Sequence, residues 1–234
     1  MFTTLPDAGV RLDMIDGVHV AKVRPEHTGG VYEVFEVLAE PAPAAPPHAA
    51  PWAASLHLLD GTLTVRAGGR VHRVAPGDTV TLPAHTAYTV DVQDGAARFV
   101  AVTTGTGAGR FFADAVAAGP DIGAVVAAAA RHGVSIGPGG GQVHLAPGAG
   151  PGVTVPAEHT GGVYEIHEIT TPVGPTRLPW PRTLYVLGGT LTGRVGDEDV
   201  ELAEGGTVTV PAGVAHAFDA AGALLLSITA GSWT

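Results

Sequence analysis

The chain has 234 residues, enough for two domains that each bury a core, and its 34 glycines and 19 prolines favour short strands and tight turns over long helices. Only 15% of the residues are charged and the net charge is −10, which excludes the basic surface that nucleic-acid binding requires. There is no cysteine, which excludes a disulfide framework, a thiol nucleophile and a thiolate metal site.

The first residues, MFTTLPDAGVRLDMIDG, lack the basic region followed by an apolar stretch that defines a signal peptide. The apolar run IGAVVAAAA, which begins at Ile122, is far shorter than the ~18 residues of a membrane span. We therefore expect a cytoplasmic protein with neither a membrane nor a nucleic-acid partner.

Three segments of the first half return, in the same order, in the second half. They are EHTGGVYEVFEV at 26–37 with EHTGGVYEIHEI at 158–169, GTLTVR at 61–66 with GTLTGR at 189–194, and GDTVTLPAHTAY at 77–88 with GGTVTVPAGVAH at 205–216. Matched blocks in matched order predict an internal duplication.

Within each copy, β-branched residues alternate or run together between glycine and proline turns, which predicts about six to eight strands and a small barrel or double-sheet roll. The intervening segment breaks this pattern and predicts two short helices, the second from about Ile122 to Arg131. We predict an N-terminal barrel at 1–108, a helical linker at 109–138 and a C-terminal barrel at 139–234.

Several short segments resemble one known family. They are the HTGG that precedes a strand in each copy, the PPH that ends at His48, the LLDG and VLGG turns, and the GRFF that begins the linker. Both copies resemble the cupin barrel, and together they are similar to the quercetin dioxygenase-like bicupins. The resemblance covers nearly the whole chain and implies an all-β fold of two cupin barrels in tandem, each a double-stranded β-helix or jelly roll, joined by a short helical linker.

Cupins of this type hold a metal with three histidines and a carboxylate. The resemblance places the corresponding positions of the first copy at His48, Ala50, Ala54 and Tyr88, and those of the second at Thr176, Leu178, Arg182 and His216. One imidazole remains in each copy, and a guanidinium can neither ligate a metal nor lose its proton. We therefore predict no metal centre and no other cofactor.

A barrel without its metal ligands can still bind a small molecule. The candidate catalytic residues are His48 and Tyr88 in the first copy, and Arg182 and His216 in the second. The candidate substrate-binding residues are Trp52, Leu56, His167, Trp180 and Leu184. Arg182 is expected to anchor an anion or enolate and His216 to act as acid or base, while His48 and Tyr88 can exchange a proton with a substrate.

Each assignment has a structural alternative. Tyr88 can fill the space left by the metal, and His216 can be a hydrogen-bonded core histidine. The alternation of side chains along a strand places Glu33 and Phe35 on one face and Tyr32 and Glu36 on the other, without showing which face points into the barrel. If the Glu33 face points inward, His167 joins His216 in the second copy.

Three functions stay open. The first is a metal-independent lyase, isomerase or cyclase that acts on a small oxygenated or aromatic metabolite. The second is a non-catalytic binding or scaffold protein, and the third is a metal-dependent, quercetinase-like dioxygenase. The composition is typical of a high-GC bacterial gene, a setting in which such cupins often serve secondary metabolism. Cupin edges and apolar outer faces commonly dimerise, so a homodimer also stays open.

Overall fold

The computed structural model describes residues 1–42, 45–92, 95–148, 150–220 and 222–231. The elements of the first copy are β1 (Phe2–Thr4), β2 (Val10–Met14), β3 (Gly17–Val23), α1 (Pro25–Thr28), β4 (Tyr32–Ala39), β5 (His48–Ala49), β6 (Ala54–Asp60), β7 (Leu63–Ala67), β8 (Arg70–Val74), β9 (Thr79–Leu82), β10 (Tyr88–Asp91) and β11 (Ala97–Thr104).

The helices α2 (Gly107–Ala118) and α3 (Ile122–Arg131) follow, as the sequence predicts between the copies. The remaining elements are β12 (Ser135–Ile136), β13 (His144–Ala146), β14 (Gly152–Val155), a 3₁₀ turn (Ala157–Thr160), β15 (Tyr164–Ile169), β16 (Val173–Arg177), β17 (Arg182–Gly188), β18 (Thr190–Val195), β19 (Glu198–Ala203), β20 (Thr207–Val210), β21 (Ala215–Asp219) and β22 (Leu224–Ala230).

These strands form two barrels, each made of two antiparallel sheets. In the first barrel, a seven-stranded sheet ordered β13-β9-β6-β11-β4-β3-β2 packs on a five-stranded sheet ordered β12-β5-β10-β7-β8. In the second barrel, a six-stranded sheet ordered β1-β20-β17-β22-β15-β14 packs on a four-stranded sheet ordered β16-β21-β18-β19. This arrangement confirms the prediction of a tandem cupin jelly roll.

Three apolar cores separate the four sheets. The first-barrel core includes Phe35, Leu58, Leu63, Val65 and Val80; the central core includes Tyr32, Val34, Tyr164, Ile166 and Tyr185; the second-barrel core includes Leu184, Val186, Leu191, Val208 and Leu225. The central core lies between the two larger sheets, so each of those sheets is buried on both faces and the barrels stand back to back.

The two copies exchange their first strands. Phe2 of β1 pairs with Thr209 of β20 in the second barrel, and His144 of β13 pairs with Thr81 of β9 in the first barrel. The division of the chain at 108 and 138 stays a prediction, and strand pairing crosses those boundaries in both directions.

The repeated glycine turns have a steric cause. Gly61 and Gly189 occupy equivalent turns with φ of 83° and 78°. A side chain at Gly61 would overlap the backbone of Ala96 and Ala97, and one at Gly189 would overlap Gly222. Glycine is therefore required at each of these turns for two reasons: the left-handed conformation and the close approach of the neighbouring loop.

Candidate active site in the second barrel

The inward face of β15, β17 and β22 carries a lateral row of polar side chains. In the strand register, Thr229 pairs with Arg182 on one side and with Glu165 on the other. Alternation places these residues on the face that carries Leu184 and Leu225 of the second-barrel core. The Arg182 Nε donates a hydrogen bond to the Thr229 Oγ1 at 3.3 Å, which fixes the guanidinium within the row.

His167 follows Glu165 on the same inward face and pairs in register with Ser227. Its Nε2 lies 2.8 Å from the Glu165 Oε1, close enough for an ion pair. The contact lacks the angle of a hydrogen bond, so this Nε2 has no hydrogen-bond partner among the described residues. The side chains of His167 and Glu165 remain 29% and 22% exposed, although the His167 Nε2 itself is buried.

His216 reaches the same interior from the opposite sheet. It lies two residues before Phe218 on β21, so both side chains point into the barrel, and only 4% of the His216 surface is exposed. Its Nδ1 lies 3.1 Å from the carbonyl oxygen of Val214. Because a carbonyl only accepts, Nδ1 carries the proton and Nε2 keeps its lone pair, for which the described residues offer no partner. Burial lowers the pKa of His216 and outweighs the opposing effect of the Val214 hydrogen bond, while Arg182 adds a smaller lowering effect; the lowered pKa favours the neutral imidazole at pH 7.

Arg182 introduces a fixed positive charge into this group. Burial lowers its pKa, an effect that the carboxylate of Glu165 opposes, but a guanidinium remains protonated in any protein environment. Arg182 thus interacts electrostatically with both His216 and Glu165. We call Glu165, His167, Arg182, His216 and Thr229 the polar cluster of the second barrel.

The same row in the first barrel is mostly apolar. Glu33 pairs with Thr103, which pairs with Ala54, so alanine stands where the second barrel has Arg182. Phe35, rather than a histidine, follows Glu33 on the inward face and belongs to the first-barrel core. The face that contains Glu33 and Phe35 therefore points into the barrel, and the equivalent face brings His167 into the second barrel.

Helices α2 and α3 close the mouth of the first barrel. The backbone N–H of Gly109, in the first turn of α2, donates to the Glu33 Oε2 at 3.1 Å. Burial raises the pKa of Glu33. A side chain at Gly107 would collide with the indole of Trp52, and Ala108 is fully buried in the first-barrel core. The predicted substrate-binding residue Trp52 thus packs beneath a helix.

His48 and Tyr88 form a cross-strand pair in the first barrel. Their ring centroids are 4.8 Å apart, and the His48 Nδ1 lies 3.1 Å from the Pro46 carbonyl oxygen. Burial raises the pKa of Tyr88 to about 12, and its hydroxyl makes no hydrogen bond within the described part of the chain. A phenol with this pKa is a poor acid at neutral pH.

The remaining sequence candidates are apolar residues. Leu56 and Leu184 pack in the first-barrel and second-barrel cores with 6% and 0% of their surfaces exposed. Trp180 is half-buried and packs against the central core, just before β17. The structure therefore brings Arg182, His216 and His167 together, separately from His48 and Tyr88.

Three members of this face, Glu165, Thr229 and Ser227, are not predicted from the sequence. A signal exists in the strand LLLSITA, where Ser227 and Thr229 alternate within an otherwise apolar run. Their relation to Arg182 depends on the register of three strands, which the sequence alone does not provide.

The residues at the cupin ligand positions do not fit a metal. Register pairs Thr176 with His216 in the second barrel and His48 with Tyr88 in the first. Within the described ranges, no group of three or more His, Cys, Asp or Glu is placed to hold a metal ion. Arg182 adds a positive charge where a carboxylate ligand would stand, and this charge opposes a bound cation.

The Cupin domain family matches residues 35–103 and 173–229, more than half of the chain and both barrels. The chain belongs to the cupin family. The two matched segments coincide with the two barrels of the fold, so this cupin is a bicupin. No curated protein sequence matches this cupin significantly.

Solved structures share the bicupin fold at low sequence identity. Protein Ylba from E. coli superposes with a TM-score of 0.72 at 11% identity, over 99% of this chain and 91% of that one. Oxalate decarboxylase from Bacillus subtilis gives 0.66 at 12%, over 99% and 76%. AerE from Microcystis aeruginosa gives 0.64 at 12%, over 98% and 99%. These similarities extend to the fold alone. Among the described helices, none is long and apolar enough to cross a membrane.

Proposed function

We propose that this bicupin is a metal-independent enzyme that carries out acid–base chemistry in its second barrel. The substrate is a small oxygenated metabolite with a carboxylate or an enolisable carbonyl, and the reaction is of the lyase, isomerase or cyclase type. One observation carries the proposal: the His216 Nε2 is a buried lone pair without a hydrogen-bond partner among the described residues, in the same barrel as the charged Arg182. An unsatisfied buried acceptor costs about 1–3 kcal/mol, which a bound ligand can offset.

His216 has the properties of a general base. Its tautomer is fixed by the Val214 carbonyl, its Nε2 is unprotonated, and its lowered pKa keeps it neutral at pH 7. When Nε2 removes a proton from carbon next to a carbonyl, negative charge develops on the carbonyl oxygen. Arg182 is the group that would stabilise that oxygen, and an electrostatic contact of this kind is worth most where water is excluded.

His167 and Glu165 supply a second place for a proton. A lyase or isomerase takes a proton from one atom of the substrate and returns one to another atom or to a leaving group. His167 in its protonated form donates this proton, and Glu165 at 2.8 Å stabilises the imidazolium until the transfer. The two histidines lie on opposite sheets, which suits a substrate held between them.

We also propose that this bicupin shares ancestry with the quercetin dioxygenase-like group. The motifs shared with the quercetin dioxygenase-like bicupins support common ancestry with that group. The loss of ligands at six of its eight metal positions supports a change of chemistry within it. A role in bacterial secondary metabolism rests on composition and stays a prediction.

A non-catalytic ligand-binding role is the second candidate. It is favoured by the complete burial of Leu184 and by helix α2 over the first barrel, since filled interiors suit a scaffold. In that case Arg182 would bind an anion and release it without chemical change.

Solvent-exchange NMR of a panel of small keto acids and 1,3-dicarbonyl compounds in D₂O tests the proposal. We expect the wild type to incorporate deuterium into at least one compound. His216→Gln should slow this exchange about a hundredfold or more, and Arg182→Gln should weaken binding of the same compound. Arg194→Gln, on the exposed face of β18, is the matched control and should behave as wild type.

The possible outcomes separate the candidate functions. Binding that depends on Arg182 without any exchange would favour the binding protein. Activity that is lost on chelation and restored by a divalent metal would overturn the proposal and favour a dioxygenase-like enzyme. Circular dichroism and thermal unfolding of each variant separate a loss of chemistry from a loss of fold.

A further inference from the structure

A cavity of about 180 Å³ opens at the edge of the first barrel, beside the turn that joins β7 and β8. Its polar lining consists of the side chains of Arg70, His72 and Gln142, with the backbone of Gly68 and Gly141. None of the residues that line it belongs to the candidate sites described above.

The strand register turns the guanidinium of Arg70 and the imidazole of His72 towards this cavity. Arg70 and His72 alternate with Val71 and Arg73 along β8, and they share the inward parity of Val74, which is fully buried. The residues paired with them on β7, Ala67 and Val65, are apolar and belong to the first-barrel core. The polar pair therefore replaces core residues at the end of the barrel that meets the cavity.

The positive charge of Arg70 has no carboxylate partner in the part of the chain that the structure describes. Among the described residues, no aspartate or glutamate lines the cavity, and neither Arg70 nor His72 forms an ion pair. By contrast, Arg98 and Arg131 each contact a carboxylate, as expected in a chain with 22 acidic and 12 basic residues. A local positive potential on an acidic protein attracts a small anion from solution.

Two glycines allow the backbone to form the cavity wall. A side chain at Gly68 would overlap the carbonyl oxygen of Gly141, and a side chain at Gly141 would overlap Thr86. Both glycines have positive φ, 56° and 139°. Val143 next to this segment is buried and holds it against the barrel. The wall is therefore close-packed and would shift if either glycine were replaced.

We propose that this cavity binds a small oxyanion, a carboxylate or a phosphate group. The planar fork of Arg70 matches two oxygens of such a group, while His72 and the side-chain amide of Gln142 offer further donors. The volume of about 180 Å³ admits an anion of a few non-hydrogen atoms. This site is independent of the chemistry proposed for the second barrel.

Calorimetric titration with inorganic phosphate, sulfate and acetate at low ionic strength tests the inference. The three anions share the oxyanion chemistry and distinguish a tetrahedral ligand from a carboxylate. We expect Arg70→Gln to weaken binding of the preferred anion about tenfold or more, as for the loss of a charge-assisted contact. Arg73→Gln removes the same charge from the opposite face of the same strand and should leave the affinity unchanged.

Two further variants complete the test. Arg182→Gln should leave the affinity intact, because it removes only the anion contact of the second barrel. Gly141→Ala should weaken binding through displacement of the wall. Absence of binding to the wild type, an equal loss with Arg73→Gln, or a loss confined to Arg182→Gln would each overturn the inference.

Discussion

Tyr32 and Tyr164 meet edge to face at the centre of the molecule, with ring centroids 6.1 Å apart, and each hydroxyl contacts the other copy. The Tyr32 hydroxyl lies 2.9 Å from the Thr183 Oγ1, and the Tyr164 hydroxyl donates to the Ser55 Oγ at 3.0 Å. Both tyrosines come from the repeated GGVYE segment, and Ser55 and Thr183 are also equivalent. The duplicated sequence has therefore built a pseudo-twofold interface whose central contacts are reciprocal.

This interface predicts that removal of either hydroxyl weakens both barrels. Tyr32→Phe and Tyr164→Phe should each lower the free energy of unfolding by about 1–2 kcal/mol, because each leaves a buried polar partner unsatisfied. Urea unfolding followed by tyrosine and tryptophan fluorescence measures the change. Tyr88→Phe is the control, since the Tyr88 hydroxyl has no hydrogen bond to lose within the described structure.

We also expect one cooperative transition in the wild type, because the central core joins the two larger sheets. Two separated transitions, or tyrosine variants as stable as the control, would show that the barrels are energetically independent.

A second prediction compares Glu36 and Glu168, which occupy equivalent positions on the central face of β4 and β15. The Glu36 carboxylate accepts from the Arg98 Nε at 2.8 Å and from the Tyr185 hydroxyl at 2.9 Å. The Glu168 Oε1 is buried and has no partner among the described residues, and burial raises the pKa of this carboxyl. Glu36→Gln should therefore destabilise the protein, by about 1–3 kcal/mol, whereas Glu168→Gln should stabilise it at neutral pH.

The pH dependence gives the Glu168 variant a distinctive signature. A carboxyl with a raised folded-state pKa favours folding below its unfolded pKa, and this advantage is lost as the pH rises. The stabilisation by Glu168→Gln should thus be larger at pH 8 than at pH 4.5, as measured by urea midpoints. A destabilised Glu168→Gln variant at pH 8 would mean that the charged carboxylate has a partner.

Much of the fold follows from the sequence, because the repeats fix the alignment of the copies and alternation fixes the strands. The inward face of β4 stays ambiguous for a physical reason. Tyr32 and Glu33 are 0% and 3% exposed, since this sheet is covered on one side by its own barrel and on the other by the central core. A strand buried on both faces has no polar side that would indicate its orientation.

The exchanged strands and two members of the polar cluster, Glu165 and Thr229, could not be predicted from repeats and strand alternation. The segments Phe2–Thr4 and His144–Ala146 are too short for a periodic signal, and both pair with strands distant in sequence. Arg182 and His216 could be predicted because they occupy positions equivalent to the metal ligands of the cupin motifs. Glu165 and Thr229 require the register that folding supplies.

A third prediction concerns stability in mild acid. Burial lowers the pKa of His57 to about 4, and its Nδ1 lies 2.9 Å from the Thr79 Oγ1. Because the folded state binds this proton less well than the unfolded chain, the stability is complete above the unfolded pKa of about 6.5. It declines as the pH falls from there towards 4, by up to about 3 kcal/mol from this residue.

Urea unfolding at pH 7.5, 5.5 and 4.5 measures this decline, and His57→Gln should reduce its slope. Some slope should remain, because burial also lowers the pKa values of His19 and His216. An unchanged slope in His57→Gln would mean that this imidazole gains its proton as readily in the folded protein as in the unfolded chain.

The exchanged N-terminal strand can be monitored through Lys22, the only lysine in the chain. Its ammonium is fully buried and donates to the carbonyl oxygens of Leu5, Pro6 and Ala8 at 2.9, 2.6 and 3.1 Å. These bonds hold the segment that follows β1 against β3. Labelling of the Lys22 amine in the native protein therefore requires this segment to open.

We expect an amine-reactive ester to label Lys22 slowly in the wild type, as measured by peptide mapping, which separates it from the amine of Met1. Phe2 stacks on His27 with a centroid distance of 4.2 Å, so Phe2→Ala should loosen the strand and increase the labelling rate several-fold. Ile15→Ala removes an exposed side chain from the turn between β2 and β3 and is the control, with no change expected. Rapid labelling in the wild type, or equal rates in the two variants, would contradict a strand held closed by Lys22 and Phe2.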